Sequence, residues 1–251
     1  MKYVKKMIKV GAVAAFWLCV WALLARAVNS PLLLPSPIAV AMRLGELAAT
    51  ATFWATVGRT LFRIALGFLC AIPLGALLAE LTCRFRLWRA LLSPILTVMQ
   101  STPVASFILL LLIWLGRDAL PSVIAALMVA PVVWRNLSAG VSGIDPQLLE
   151  LAKVYRFPPG RRLRRIYFPS LAPYLFAACR SGLGLAWKAG VAAEVLTVPK
   201  GTVGQMLYEA KLYLETTDLF VWTVTVILCS LLIETLLIAL LGRLEKGGRG
   251  K

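Results

Sequence analysis

The sequence predicts an all-α membrane protein of about six transmembrane helices, and three observations carry that reading. The chain of 251 residues is 60% apolar and only 15% charged. A soluble domain of that length needs more polar surface than this, whereas lipid-facing side chains can stay apolar. The mean hydropathy is +0.84. The apolar residues also come in runs near the ~20 needed to cross a bilayer as a helix, and the basic residues cluster between those runs.

The first expected span, Ile8 to Val28, follows Lys2, Lys5, Lys6 and Lys9. That start resembles a signal peptide, but no small-residue cleavage site stands out and further spans follow, so a retained anchor is expected. The second runs from Leu61 to Leu81 and the third from Ala90 to Leu115, a stretch with no charge. The fourth, Ala119 to Trp134, is short. The fifth, Leu171 to Val195, contains Arg180, Lys188 and Glu194, and the sixth, Leu219 to Leu241, contains Glu234.

Threading these spans alternately puts the N-terminus, residues 82–89, residues 135–170 and the C-terminus on one side. Those segments hold 18 of the 27 Lys and Arg, against five (Arg26, Arg43, Arg117, Lys200 and Lys211) on the other. Arg59, Arg63, Arg180 and Lys188 fall within or at the edge of spans. The positive-inside rule then makes both termini cytoplasmic and the protein multi-pass in the cell (inner, cytoplasmic) membrane. In the external segment 29–60, Pro31, Pro35 and Pro37 predict an extended start. The stretch that follows, to Gly58, is read as an interfacial helix, with a further span as the alternative for residues 45–60.

The excess of 27 basic over 11 acidic residues belongs to these loops, so nucleic acid is not an expected partner; membrane lipid is. Cys19, Cys70, Cys83, Cys179 and Cys229 show no metal or redox spacing and are read as small lipid- or core-packed side chains. With no histidine, the commonest general base and zinc ligand is missing. No catalytic residue, metal site or cofactor is assigned.

Gly67, Ala71, Gly75 and Ala79 recur every four residues in the second span, a small-residue stripe that lets another helix approach closely. Pro73 in the same span is tolerable in a membrane bundle. Gly182, Gly184 and Gly190 point to a second close approach in the fifth span. Glu80 and Arg84, at i and i+4, are spaced to pair.

The segment 138–170 is the most informative. Asp145-Pro146 reads as a helix N-cap with proline at the first helical position. The helix then runs to Tyr155 and is broken at Phe157-Pro158-Pro159-Gly160. A second short helix, Arg161 to Phe168, precedes Pro169. Leu148, Leu149, Leu151, Ala152 and Tyr155 are available for contact with a partner or with lipid, and the residues alone leave those two open.

Glu150-Leu151-Ala152, followed by Ile166-Tyr167-Phe168-Pro169, resembles the EAA loop of binding-protein-dependent ABC importer permeases. That family's pattern is Glu-Ala-Ala, three residues, Gly, nine residues, then Ile-x-Leu-Pro. Glu150, Ala152, Ile166 and Pro169 match it, while Leu151 and Phe168 depart from it and Arg156 stands at the glycine. Pro158-Pro159-Gly160 is then expected to supply the turn a few residues later. The nitrate/sulfonate/taurine-type permeases are resembled in particular by several further segments. These are Leu34-Pro35-Ser36-Pro37, Gly67 through Ala79, Thr102-Pro103 with Ile113-Trp114-Leu115-Gly116, and Gly184-Leu185-Ala186-Trp187 with Ala193-Glu194.

The resemblance implies a type I ABC importer permease fold with a cytoplasmic coupling helix. The chain then divides into a tail and first span (1–28), an external segment (29–60), a permease core (61–243) with coupling loop 138–170, and a basic tail (244–251). It implies an importer's permease subunit, not an enzyme, which forms the solute path. A separate cytoplasmic ABC ATPase hydrolyses ATP, an external solute-binding protein delivers the solute, and a second permease subunit completes the path, expected as a homodimer with a heterodimer as the alternative. The chain itself has no G-x-x-x-x-G-K-[ST] phosphate cradle. Glu150, Leu151, Ala152, Tyr155, Arg156, Gly160, Ile166 and Pro169 are the ATPase-coupling residues on this reading.

Polar groups at membrane depth are the candidates for the path. Gln100-Ser101-Thr102-Pro103 interrupts the third span, either as a plain proline kink or as a break whose carbonyls face protein or water. Lys188 and Glu194 are costly in lipid and expected to face the interior, but they lie about 240° apart around a helix and so do not pair. Lys188 stands where the family is usually apolar, which points to an anionic or polar solute such as a sulfonate, taurine or nitrate. Arg180 and Glu234 are read as structural. The alternative, a secondary transporter or channel without an ATPase, is expected to show paired intramembrane carboxylates or inverted repeats, and no repeat of the first half is evident.

Overall fold

The computed structural model describes the backbone of residues 2–248 and the side chains of residues 11–243. The basic clusters of the N-terminus and of the 244–251 tail lie outside the described side chains. Among the described residues the chain is helical throughout, with no strand. Its elements are α1 (Lys2–Val28), α2 (Pro37–Ala48), α3 (Ala51–Arg84), α4 (Arg86–Ser101), α5 (Val104–Leu112), α6 (Leu120–Ser142), α7 (Pro146–Val154) and α8 (Pro159–Arg162). A π-helical turn (Leu163–Tyr167), α9 (Phe168–Thr197), α10 (Val203–Leu212) and α11 (Thr216–Gly248) follow.

Four helices are long and apolar enough to cross a bilayer alone, over Gly11–Val28, Ala51–Arg84, Leu120–Ser142 and Thr216–Arg243. The expected third span is instead two helices, α4 and α5, bent by 106° at a short break. Pro103 is the cause. Its ring disfavours helix in the residue before it, and Thr102 is extended at φ −78°, ψ 134°. Counting that pair as one span gives five. Helix α9, at 30 residues about 45 Å long, is long enough to be a sixth. Arg180, Lys188 and Glu194 lower its apolarity, and its packing against α3, α6, α10 and α11 spares it a fully lipid-exposed circumference.

The external segment differs from expectation in its boundary. The short helix is α2, capped by Ser36, whose hydroxyl accepts from Ala39 N–H at 3.2 Å, with Pro37 in the first turn. Residues 51–60 are not a separate interfacial helix but the first turns of α3, which is capped by Thr50, whose hydroxyl accepts from Phe53 N–H. No breaker divides that stretch from the span. Arg43 of α2 grips Asp218 of α11 through Nε and Nη2 at 2.7 and 3.0 Å. Asp218 and then Glu46 raise the guanidinium's pKa above its usual value. Thr216 donates to Leu32 O at 2.6 Å beside them.

The core is a three-helix sandwich, with α6 between α3 and α9. Gly67, Ala71, Gly75 and Ala79 are all buried in α3. A methyl group at Gly75 would lie 2.5 Å from Val133 Cβ and 2.7 Å from Ala130 O, and one at Gly67 would meet the Ser122 carbonyl and Ala125. Across α6, Gly182 admits Val129, and Gly190 of α9 admits Ile64 of α3. Gly184, expected to join them, faces open space. Trp134 Nε1 donates to Thr82 at 2.9 Å and Trp187 Nε1 to Val226 O at 3.2 Å, tying α6 to α3 and α9 to α11. Glu80 and Arg84 form no ion pair among the described residues; Arg84 lies over the Phe85 ring instead.

The α3–α6 contact generates a test. Gly75→Leu is expected to lower the stability of the detergent-solubilised chain by about 1–3 kcal/mol, the usual range for overpacking, whereas Gly184→Leu leaves it unchanged. Thermal unfolding of both variants checks this.

Candidate functional site: the α7 loop and the polar groups at membrane depth

Isolated helices shorter than ~12–15 residues are marginal in water, so the nine residues of α7 need support at both ends, and local chemistry supplies it. Asp145 accepts from Gln147 N–H at 2.9 Å, and Pro146 opens the helix. Ile144 just before the cap and Leu149 four positions in share one cluster, an arrangement that fixes the entry angle. At the other end Phe157 N–H donates to Ala152 O at 2.9 Å and Arg156 N–H to Lys153 O at 3.1 Å. Those bonds form a Schellman motif, with Phe157 packed back towards Ala152.

That motif needs a left-handed residue, and Arg156 has φ +48°. The turn therefore stays at the position where the family pattern has glycine. Pro158-Pro159-Gly160 does not take it over; Gly160 lies in α8 with ordinary helical φ. A side chain in this region costs roughly 1–2 kcal/mol, which the two bonds and the Phe157 contact offset.

Ala152, expected to be open to a partner, is instead buried with Ile166 against Ile144, and Leu149, expected outward too, is half-buried beside Phe157 and Tyr167. A larger residue than Ala152 would hold α7 off the π-helical turn. Outward, Leu148, Leu151, Val154 and Tyr155 are 43, 50, 77 and 70% exposed. Glu150 is exposed and forms no ion pair among the described residues, and Pro169 is exposed at the start of α9. The loop thus presents an apolar ridge with one carboxylate beside it.

At membrane depth the polar candidates separate. Gln100 and Ser101 are exposed and Thr102 is half-buried at the α4–α5 break. Gln100 donates to Pro131 O at 3.4 Å and accepts from Arg135 at 3.2 Å. The Ser101 and Thr102 hydroxyls both turn back to Val98 O. Lys188 is exposed on α9, on a stripe with Ala177, Ser181, Gly184 and Ala192.

Glu194 does not share that face, which corrects the expectation that it lines a path. It is fully enclosed. Its Oε2 accepts from Thr60 of α3 at 2.8 Å and from Gly204 N–H of α10 at 3.2 Å, so the carboxylate sits where the α10 helix dipole favours a negative charge. A methyl group at Gly204 would collide with Glu194.

These features can now be set beside known proteins. Residues 71–249 match the model of the binding-protein-dependent transport system inner membrane component. The chain belongs to that family. A putative aliphatic sulfonates transport permease protein of Bacillus subtilis is 26% identical over 219 residues, covering 87% of this chain and 78% of the relative. The taurine transport system permease protein of Escherichia coli is 26% identical over 244 residues, covering 94% and 88%. A crystal structure of an amino acid ABC transporter with histidines superposes with a TM-score of 0.64 at 16% identity, over 81% of this chain and 97% of that one. The fold is that of a type I ABC importer permease, and the chain is a multi-pass membrane permease subunit with a transport role.

Some of the permease's site residues escaped sequence reasoning. Ile144 and Phe157 were legible in principle, as apolar residues flanking a capped helix. Arg135, whose pairing with Gln100 crosses from α6 to α4, carries no local signal. Thr60 and Gly204, the partners of Glu194, lie 134 and 10 residues from it in sequence, and nothing in their own spacing marks them.

Arg156→Gly is expected to stabilise the end of α7 by about 1 kcal/mol, by removing the left-handed cost. The β-branched Arg156→Ile is expected to destabilise it. Amide exchange at Arg156 and Phe157 reads both effects.

Proposed function

We propose that this permease imports a small anionic or polar solute, with α7 as the helix that docks in a separate cytoplasmic ABC ATPase. The single observation that carries the docking is the α7 ridge. A nine-residue helix clamped at both ends presents Leu148, Leu151, Val154 and Tyr155 outward, with Glu150 beside them. A pre-formed helix loses little conformational entropy on docking. On this reading the α7 end of the bundle and both termini are cytoplasmic, in the inner membrane. An external binding protein meets the opposite end, and a second copy of the chain completes the path.

The solute class is supported by charge. Helices α4, α5 and α6 contain no carboxylate, and Glu194, the acid of α9, is enclosed. Arg135, Arg180 and Lys188 are all exposed and form no ion pair among the described residues. Arg180, read from the sequence as structural, joins Lys188 as a cation open to the path. Uncompensated cations along the path (Arg180 and Lys188) and at its cytoplasmic mouth (Arg135) favour an anion. Aliphatic sulfonates and taurine are the solutes named for the two relatives above; both present an anionic sulfonate group, and nitrate is likewise an anion.

The small side chains of the α9 stripe leave room for the solute or for the second subunit at Gly184 and Ala192. The path on this reading runs past that stripe and the Gln100–Thr102 break. The division into residues 1–28, 29–60, 61–243 with loop 138–170, and 244–251 belongs to the same proposal.

Two outcomes test it. Glu150→Arg is expected to weaken co-purification with the ATPase roughly tenfold, about 1.4 kcal/mol, and to lower transport with it. Unchanged association would remove α7 from the docking role. Lys188→Leu is expected to reduce uptake of taurine or methanesulfonate while leaving ATPase association intact; an unaltered uptake profile would remove Lys188 from the path.

A further inference from the structure

Among the enclosed side-chain atoms without a hydrogen-bond partner among the described residues, two belong to the contacting helices α3 and α9. Glu194 Oε1 and Arg63 Nη1 are both enclosed and make no hydrogen bond. One further atom of each group is engaged. Oε2 of Glu194 takes Thr60 and Gly204 N–H, and Nη2 of Arg63 donates to Asp118 Oδ1 at 2.7 Å. Thr60 in turn accepts from Val203 N–H at 3.0 Å, so its single hydroxyl proton stays committed to Glu194.

Thr60 and Arg63 are three residues apart on α3 and share a face. Thr60 already touches Glu194, which places Arg63 one turn along the same face of α3 from that carboxyl group. The guanidinium carries five donors in a planar fork, enough for two carboxylates. The Asp118 side chain is 77% exposed, whereas that of Arg63 is 19% exposed and Glu194 is fully buried.

We propose that Arg63 is a two-station cation, held by Asp118 in the conformation described and passed to Glu194 Oε1 when α9 and α10 shift against α3 during transport. This rests on the permease reading given above. Three physical points support it. An exposed ion pair is weak and screened, so Asp118 releases Arg63 readily. An ion pair sheltered from water is stronger, so Glu194 holds Arg63 firmly once reached. A buried acceptor left unmade is unfavourable, so the described conformation is poised to change. Asp118 lies just ahead of α6 and Glu194 near the end of α9, so the station occupied reports how those helices sit against α3. Arg63 is thus a positioning residue for the conformational step and touches no solute.

The test uses the full complex of permease, ATPase and binding protein in lipid nanodiscs, with ATP hydrolysis as the readout. Asp118 is exposed, so Asp118→Asn removes the outer station without disturbing the core. It is expected to lower kcat for ATP hydrolysis at least ~5-fold, the lower end of ordinary inter-site coupling, with KM for ATP and thermal unfolding unchanged. In a Glu194→Gln background the same substitution is expected to have no further effect, and Arg63→Lys to retain more activity than Arg63→Gln. If Glu194→Gln does not assemble, Arg63→Gln serves as the background with the same expectation. Asp118→Asn hydrolysis equal to the unaltered complex, or an equal loss in both backgrounds, overturns the proposal. Failure of the unaltered chain to assemble with an ATPase overturns the permease reading instead, and is seen before any variant is made.

Discussion

The close approach of α3 to α6 at Gly67 and Gly75 is the constraint on which the rest of the bundle depends. Lipid tails are as apolar as leucine, so helices in a bilayer gain nothing from hiding apolar side chains from one another. They associate through close van der Waals packing and interhelical hydrogen bonds. With two positions of α3 lacking a Cβ, the Ser122 and Ala130 carbonyls of α6 come into direct backbone contact. That seats α6 deeply enough for its opposite side, at Val129, to receive Gly182 of α9. Ile64 then reaches Gly190 past α6, and Trp134 and Trp187 close the polar ends of the contacts.

Helix α7 obeys a different physics. It lies outside the sandwich, and short-range chemistry defines it at both ends. An aspartate cap, a proline, an apolar residue ahead of the cap and another behind a left-handed arginine hold nine residues in one conformation. Each device is modest alone, and together they leave α7 little freedom except to move as a body with the Ile144–Ala152–Ile166 cluster beneath it.

What was legible in the sequence follows the same division. The α7 cap and its length were readable because their causes are local, whereas Ala152, expected to face outward, is turned in by Ile144 and Ile166, which are 8 and 14 residues away in sequence. So was the α3 stripe, because a period of four needs only one helix to be seen. The α4–α5 break was signalled by Pro103, but its size was not, since a proline specifies what it forbids and leaves the new direction to tertiary packing. The start of α3 was misjudged because nothing between Thr50 and Leu61 marks where water ends and lipid begins; the helix simply continues. Glu194 was misread for the reason most typical of membrane helices. A buried charge announces that it needs partners and is silent about whether they are solute, water or a distant threonine.

Past α8 the chain does not unwind before entering the membrane. Phe168 N–H bonds back to Leu163 O across the wide π turn, so α8, the turn and α9 form one unbroken rod. Ile166, inside that turn, is the residue on which Ala152 rests. The joint between the peripheral helix and the membrane rod is therefore a rigid elbow rather than a hinge. Whatever grips α7 acquires a lever arm on α9 some thirty residues long, able to tilt the far end of the bundle with no motor inside the membrane.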